Sequence, residues 1–250
     1  MRRPLSILFL PIFFYVLLFT NMQIFAKDRW DYEKTGQVTW DIDTKEKMVA
    51  ITFDDGPHPL YTSDILDVLA NYNAKATFFV LGAHAKKYSG LIYRQFREGH
   101  EIANHTYNHK YHLTTSKELK KEIDDTAEII YEITGTKPAL FRPVGGTYND
   151  VTINTAVDSG NHVVLWSWHQ DPEDWKNPSV NRITNHILKN ISPGDIILLH
   201  DAGGDRSRTV ESLKRILPQL TKEGYKFVTV SEMMYRTEIK DSSFFNLFLN

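Results

Sequence analysis

Five short stretches of the 250-residue chain hold side chains able to act together. Asp54 and Asp55 follow the apolar run MVAITF (48–53), and His105 and His109 stand four residues apart. Arg142 follows Ala-Leu-Phe, Asp171 and Asp174 follow HVVLWSW (162–168), and His200 with Asp201 closes DIILL (195–199). Two imidazoles at that spacing can converge on one side of a turn and chelate a metal. In a chain with ten histidines the spacing alone is weak, but the Asp55 carboxylate supplies a third ligand. Three protein ligands and an open position describe a catalytic rather than a structural site. Zn²⁺ is the default for two imidazoles and a carboxylate, and Co²⁺, Ni²⁺ or Mn²⁺ can take the same set.

Asp54-Asp55-Gly56-Pro57 is also turn vocabulary, so the pair needs a further argument. Adjacent carboxylates after a buried strand repel unless a cation offsets them. With one of them on a metal, its neighbour is placed to take a proton from water. Arg142 can hold that base ionised through a charge-assisted contact. His200 is a candidate general acid, which requires a nearby carboxylate to raise its pKa, and Asp174 is the candidate. His58, His84, His100, His112, His162, His169 and His186 have no matched partner and read as structural or exposed. His112, three residues past His109, is the nearest decoy.

These residues need a scaffold that brings five distant segments to one place. Apolar runs at 48–53, 76–81, 101–105, 139–141, 162–168, 195–200 and 225–230 predict seven strands. Helical spacing between them predicts helices from 62 or 63, over 89–98, 116–134, 150–159, 179–190 and 207–223, and a short one at 231–236. Thr115 and Glu118 form a capping box for the long helix, Gly135 ends it, and Pro218 predicts a kink or break in the helix 207–223. Continuous apolar strands alternating with helices make an α/β chain with a parallel sheet buried on both faces. Seven units with no Pro/Gly/Ser-rich linker suggest one barrel-like domain. In such barrels the carboxyl ends of the strands face a shared mouth, where all five stretches fall. Residues 27–46 read as a polar leader that packs Trp30 and Trp40 on the outside of the core.

The chain is 42% hydrophobic and 24% charged, which excludes disordered, collagen-like and coiled-coil proteins. A formal charge of −2 offers no basic face for nucleic acid. Having no cysteine excludes disulfide scaffolds, thiolate metal sites and cysteine nucleophiles. Arg2 and Arg3 precede an uncharged stretch from Pro4 to Ala26, which reads as a signal peptide or as a membrane anchor through residues 5–26. Either one exports the remainder, leaving it secreted, wall-associated or held on the outer face of the cytoplasmic membrane. The expected division is 1–26 signal or anchor, 27–46 leader, 47–236 catalytic domain and 237–250 tail, in a monomer.

From about Met48 to Met234 the chain resembles the polysaccharide deacetylases of carbohydrate esterase family four, the NodB-homology domain. Thr52-Phe-Asp-Asp-Gly-Pro57 and His105-Thr-Tyr-Asn-His109 look like the first two family motifs. Arg142-Pro-Val-Gly-Gly146, Asp171-Pro-Glu-Asp-Trp175 and Leu198-Leu-His-Asp201 look like the other three, in order. The resemblance implies a distorted (β/α)7 barrel of NodB type. It implies Asp54 as base, His200 as general acid, Arg142 tethering Asp54, and Asp174 tuning His200. Asp55, His105 and His109 are implied as ligands of one divalent metal, and Trp175 and Leu198 as walls of a pocket for the acetyl methyl. The third motif departs from the common Arg-Pro-Pro-Tyr-Gly, because Val144 and Gly145 replace the second proline and the tyrosine. The backbone N–H aimed at the oxyanion survives at Gly145, so the departure bears on substrate fit more than on chemistry. The implied function is removal of N-acetyl groups from an exported amino-sugar polymer, with peptidoglycan N-acetylglucosamine first. Chitooligosaccharide or acetylxylan deacetylation, or an inactive carbohydrate-binding protein, are the alternatives.

Overall fold

The computed structural model describes residues 27–111 and 115–238; the segment 1–26, His112 and the tail from 239 lie outside them. In chain order the elements are α1 (Arg29–Glu33), β1 (Val38–Thr39), β2 (Met48–Asp54), α2 (Tyr61–Ala70), β3 (Ala76–Val80), α3 (Gly82–Lys87) and α4 (Ser89–Arg97). They continue with β4 (Glu101–Asn104), α5 (Ser116–Thr134), β5 (Leu140–Phe141), α6 (Asp150–Asp158) and β6 (His162–Val164). The last are α7 (Val180–Asn190), β7 (Ile196–His200), α8 (Ser207–Lys222), β8 (Lys226–Phe227) and α9 (Val230–Glu238).

Every residue of β2 and of β3 is buried, as a strand covered on both faces requires. The strands run parallel in the order β1-β6-β5-β4-β3-β2-β7, and β8 pairs with the start of β2. The row is curled, and backbone bonds from beyond its ladders meet β7 and the turn before it. Ser167 N–H donates to Ile196 O (3.0 Å), and Ile42 N–H to Gly194 O (3.0 Å). This is the distorted barrel expected: all seven predicted strands are present, and β1 adds a short eighth from the leader.

Alternation along β2 sorts its side chains into two cores. Val49, Ile51 and Phe53 pack outward among helix residues such as Ile65, Leu213 and Leu217. Met48 and Ala50 pack inward with Phe79, Ala103, Val164 and Ile196. Period-two geometry then puts Thr52 and Asp54 on the inner side, with Asp54 last, at the mouth. The same alternation in β7 sends Ile197 and Leu199 outward and leaves Ile196, Leu198 and His200 inward. Each fully buried Phe, Ile or Leu contributes about 1.5–3 kcal/mol, so the register that fixes the site is strongly held.

Several local expectations hold. Thr115 Oγ1 accepts from Glu118 N–H (3.2 Å), and Gly135 closes α5 in the left-handed conformation (φ 75°). Others are corrected. Trp40 is not outside the core: it is fully buried beside Phe141, Val163 and Leu165, because β1 pairs with β6 and carries it in. Trp30 stays outside, 61% exposed. Helix α8 runs unbroken through Pro218, held on both sides of it by the buried Leu213, Leu217 and Leu220. Strand β6 ends at Val164 rather than 168, since the Arg142 guanidinium takes the carbonyls of Val164 (3.1 Å) and Leu165 (2.7 Å). Strand β8 is only two residues, because the chain turns early: Val230 N–H donates to Thr77 Oγ1 (2.9 Å) as α9 begins.

Candidate active site

The inner row of β2 ends at the barrel mouth, where the chain turns sharply. Asp54 completes the strand, and Asp55 takes φ 77°, a left-handed value costly for a residue with a Cβ. That turn parts the two carboxylates. Asp54 Oδ1 accepts from Arg142 Nη1 (2.8 Å), while Asp55 Oδ1 faces His109 Nε2 (3.1 Å) and His105 Nε2 (3.6 Å). The His84 ring, which the sequence gave no partner, lies 2.8 Å through Nδ1 from the Asp55 carbonyl and braces the turn.

The two imidazoles come from a second strained turn after β4, with Thr106 at φ 73° and His109 at φ 56°. Glu122 on α5 holds that turn from below, accepting from Tyr107 N–H (2.9 Å), Asn108 N–H (2.6 Å) and Asn108 Nδ2 (2.9 Å). Glu122 was missed in the sequence, although a carboxylate inside the buried stripe Leu119, Glu122, Ile123, Thr126 was a visible signal. His105 Nδ1 lies 2.7 Å from the Arg142 carbonyl, so this nitrogen carries the proton and Nε2 presents its lone pair to Asp55.

Asp55 Oδ1 is buried with no hydrogen-bond partner, and the three donor atoms all lie within 4.8 Å of one another. Two imidazole nitrogens and an orphaned carboxylate oxygen fit one divalent cation and leave coordination positions open. Burial alone would raise the Asp55 carboxyl, yet His109 beside it and the charge of His200 hold it at about 2. It is therefore ionised, as a ligand must be.

Arg142 is fully buried and makes four hydrogen bonds. Besides Asp54 and the two carbonyls of the β6 end, Nη1 donates to Thr52 Oγ1 (2.8 Å), and the guanidinium lies 4.0 Å from the centre of the Phe79 ring. Across the mouth, His200 Nδ1 meets Asp174 Oδ1 (2.7 Å), while Asp174 Oδ2 accepts from the His200 N–H (3.0 Å) and from Thr209 (2.7 Å). Burial works against a charge on His200, but the Asp174 hydrogen bond and the charges of Asp174, Asp54 and Asp55 push its pKa up to about 9. Its Nε2 remains for the cleft.

One cleft of about 390 Å³ is lined by Asp54, Asp55, His105, His109, Gly145, Trp175, Leu198 and His200. Arg142 and Asp174 stand behind it, buried. All ten predicted site residues thus meet at one place. Asp171 also lines the cleft, its carboxyl raised by burial. Asp201 does not: it lies beneath, against Gly56, with burial pushing its carboxyl up to about 7. Tyr111, Trp166, Gly203 and Arg206 line the cleft as well and were not predicted. The glycine pair after His200-Asp201 was a signal for Gly203, where a Cβ would stand 2.8 Å from Asp55 Oδ2. His100 and His162 are structural, with burial lowering each to about 4.

A carboxylate held by Arg142 and an imidazole held by Asp174 thus line one cleft beside a candidate cation site, an arrangement that hydrolysis of an acyl bond can use. The family model for polysaccharide deacetylases matches residues 41–164. A peptidoglycan-N-acetylglucosamine deacetylase of Bacillus cereus is 51% identical over 207 residues, covering 82% of this chain and 97% of its own. The peptidoglycan-N-acetylmuramic acid deacetylase PdaC of Bacillus subtilis is 37% identical over 77% of this chain, which spans 40% of that longer relative. The crystal structure of a peptidoglycan N-acetylglucosamine deacetylase bound to an N-oxidanyl-benzamide superposes with a TM-score of 0.77. Its identity is 36%, and the match covers 82% of this chain and 95% of that one. The chain belongs to the polysaccharide deacetylase family. It is a polysaccharide deacetylase, a hydrolase acting on an acetylated polymer.

Proposed function

We propose that the chain removes N-acetyl groups from peptidoglycan N-acetylglucosamine outside the cytoplasmic membrane. One observation carries the chemistry: Asp54 and His200 line the same cleft, each backed by a buried partner of opposite charge. The relatives named for peptidoglycan favour that polymer, and the uncharged segment Pro4–Ala26 favours export.

Asp55, His105 and His109 would hold one divalent ion, with Zn²⁺ the best match to the donors. When bound, that ion supplies Lewis-acid chemistry, polarising the acetamide carbonyl and acidifying water. Asp54 takes the water's proton at its carboxylate, which Arg142 holds in place. The Gly145 N–H, in the turn at the third motif, donates to the developing oxyanion. His200 Nε2 gives its proton to the departing nitrogen, and the products are acetate and a free amine. Trp175 and Leu198 wall the space for the acetyl methyl.

The test is acetate release by residues 27–250, with and without added Zn²⁺ or Co²⁺. Peptidoglycan, N-acetylchitooligosaccharides and acetylated xylan are compared side by side. Metal-dependent release from peptidoglycan is expected; release from the others alone would reassign the polymer, and silence on all three would overturn the activity.

A further inference from the structure

Beside the cleft runs a second, larger groove of about 560 Å³, walled by Leu119, Pro143, Val144, Tyr148 and Asn149. One side chain, Tyr111, lines both spaces. It is 65% exposed, yet its ring has a definite seat, edge-on to His109 at 4.9 Å and 89°. A Cβ at Gly145 would lie 3.3 Å from Tyr111 Cε1, so Gly145 leaves the ring room at the point where cleft and groove join. The third-motif loop presents no side chain there.

We propose that Tyr111 is a specificity-determining platform, on which the sugar next to the one being deacetylated stacks as the polymer passes from the cleft into the groove. The proposal rests on the polysaccharide reading of the cleft. A pyranose presents a face of C–H groups, and an aromatic ring offers it apolar area with little conformational entropy to lose. The groove walls continue that apolar surface with hydroxyl and amide groups among them, as a sugar requires. An acidic stem peptide fits less well. Lys27 is already paired with Asp150 (2.7 Å) and Lys110 with Glu122 (3.1 Å), so the described lysines of the groove are both engaged.

The test compares binding of N-acetylglucosamine and its β-1,4-linked tetramer to the metal-free protein by NMR titration, and repeats it with Tyr111→Ala and Tyr111→Phe. In the wild type the tetramer binds more tightly than the monosaccharide. Tyr111→Ala reduces that advantage roughly ten-fold, and Tyr111→Phe keeps it. A wild type indifferent to chain length, or a Tyr111→Ala variant retaining the advantage, overturns the proposal. Acetate release from the same tetramer is followed separately: a length-dependent binder that releases none would fail as a deacetylase while leaving the role of Tyr111 intact.

Discussion

Asp54 and His200 are register partners across the parallel pair β2 and β7. Partners in adjacent strands project to the same face, so one backbone register puts a carboxylate and an imidazole on one side of one cleft. Each is then fixed from outside the pair, Asp54 by Arg142 from the end of β5 and His200 by Asp174 from the loop after β6. Four separate segments converge on two titratable groups, and none of their side chains has a free rotamer to spend at the moment of reaction.

Asp54→Asn keeps the size of the side chain and removes its basicity. Turnover is expected to fall ~10²–10⁴-fold with the affinity for Zn²⁺ little changed, because Asp54 is not among the three donors. Steady-state rates and a metal titration on the same preparation check this. A variant retaining the full rate would remove Asp54 from the mechanism.

With His200 as the proposed acid, kcat/KM is expected to fall as pH rises through its pKa, which lies above the ordinary imidazole value. Asp174 is the largest support for that elevation, by hydrogen bond and by charge. Asp174→Asn removes the charge, and the alkaline limb of the pH–rate profile moves to lower pH. An alkaline limb that stays in place while the rate falls would mean that Asp174 serves the fold and not the proton.

The placement of the site residues was more legible in the sequence than the details of the scaffold that carries them. Asp54, Asp55, His105, Arg142 and His200 stand at or just past strand ends, with His109 and Asp174 in the loops that follow, and the end of a buried parallel strand in a barrel is a position that sequence periodicity can locate. What escaped depended on contacts between distant segments. Glu122 supports the metal turn from a helix fifteen residues beyond Tyr107, and Tyr111 gains its place through the missing side chain at Gly145. The early end of β6 follows from Arg142 capturing two carbonyls, which no local propensity records. Pro218 was weighed by local rules alone, and the buried leucines on both sides of it outweigh one lost hydrogen bond.

Trp40 measures how far residues before β2 belong to the folded unit. It is fully buried, edge-on to Tyr148 at 5.1 Å, and packed with Phe141 and Val163. Trp40→Ala is expected to cost about 3–5 kcal/mol, the range for removing a large aromatic from a core. Urea unfolding monitored by far-UV circular dichroism checks it. A loss below about 1 kcal/mol, the level of a surface substitution, would make the segment a peripheral leader after all.

Gly203 separates the metal site's geometry from its ligand list. Its φ is +76°, and an added Cβ would stand 2.8 Å from Asp55 Oδ2, too close for the carboxylate to keep its place. Gly203→Ala therefore displaces a ligand without removing any ligand atom. Outer-shell changes of this kind cost roughly 10–100-fold in metal affinity. The readout is Zn²⁺ bound after equilibrium dialysis against buffered free Zn²⁺, where the midpoint is the free concentration that half fills the site. The titration midpoint should move to higher Zn²⁺ in Gly203→Ala. It should stay put in Gly90→Ala, where a Cβ meets nothing within 4 Å. Equal midpoints in the two variants would show that Asp55 is not held at the metal site by the loop that covers it.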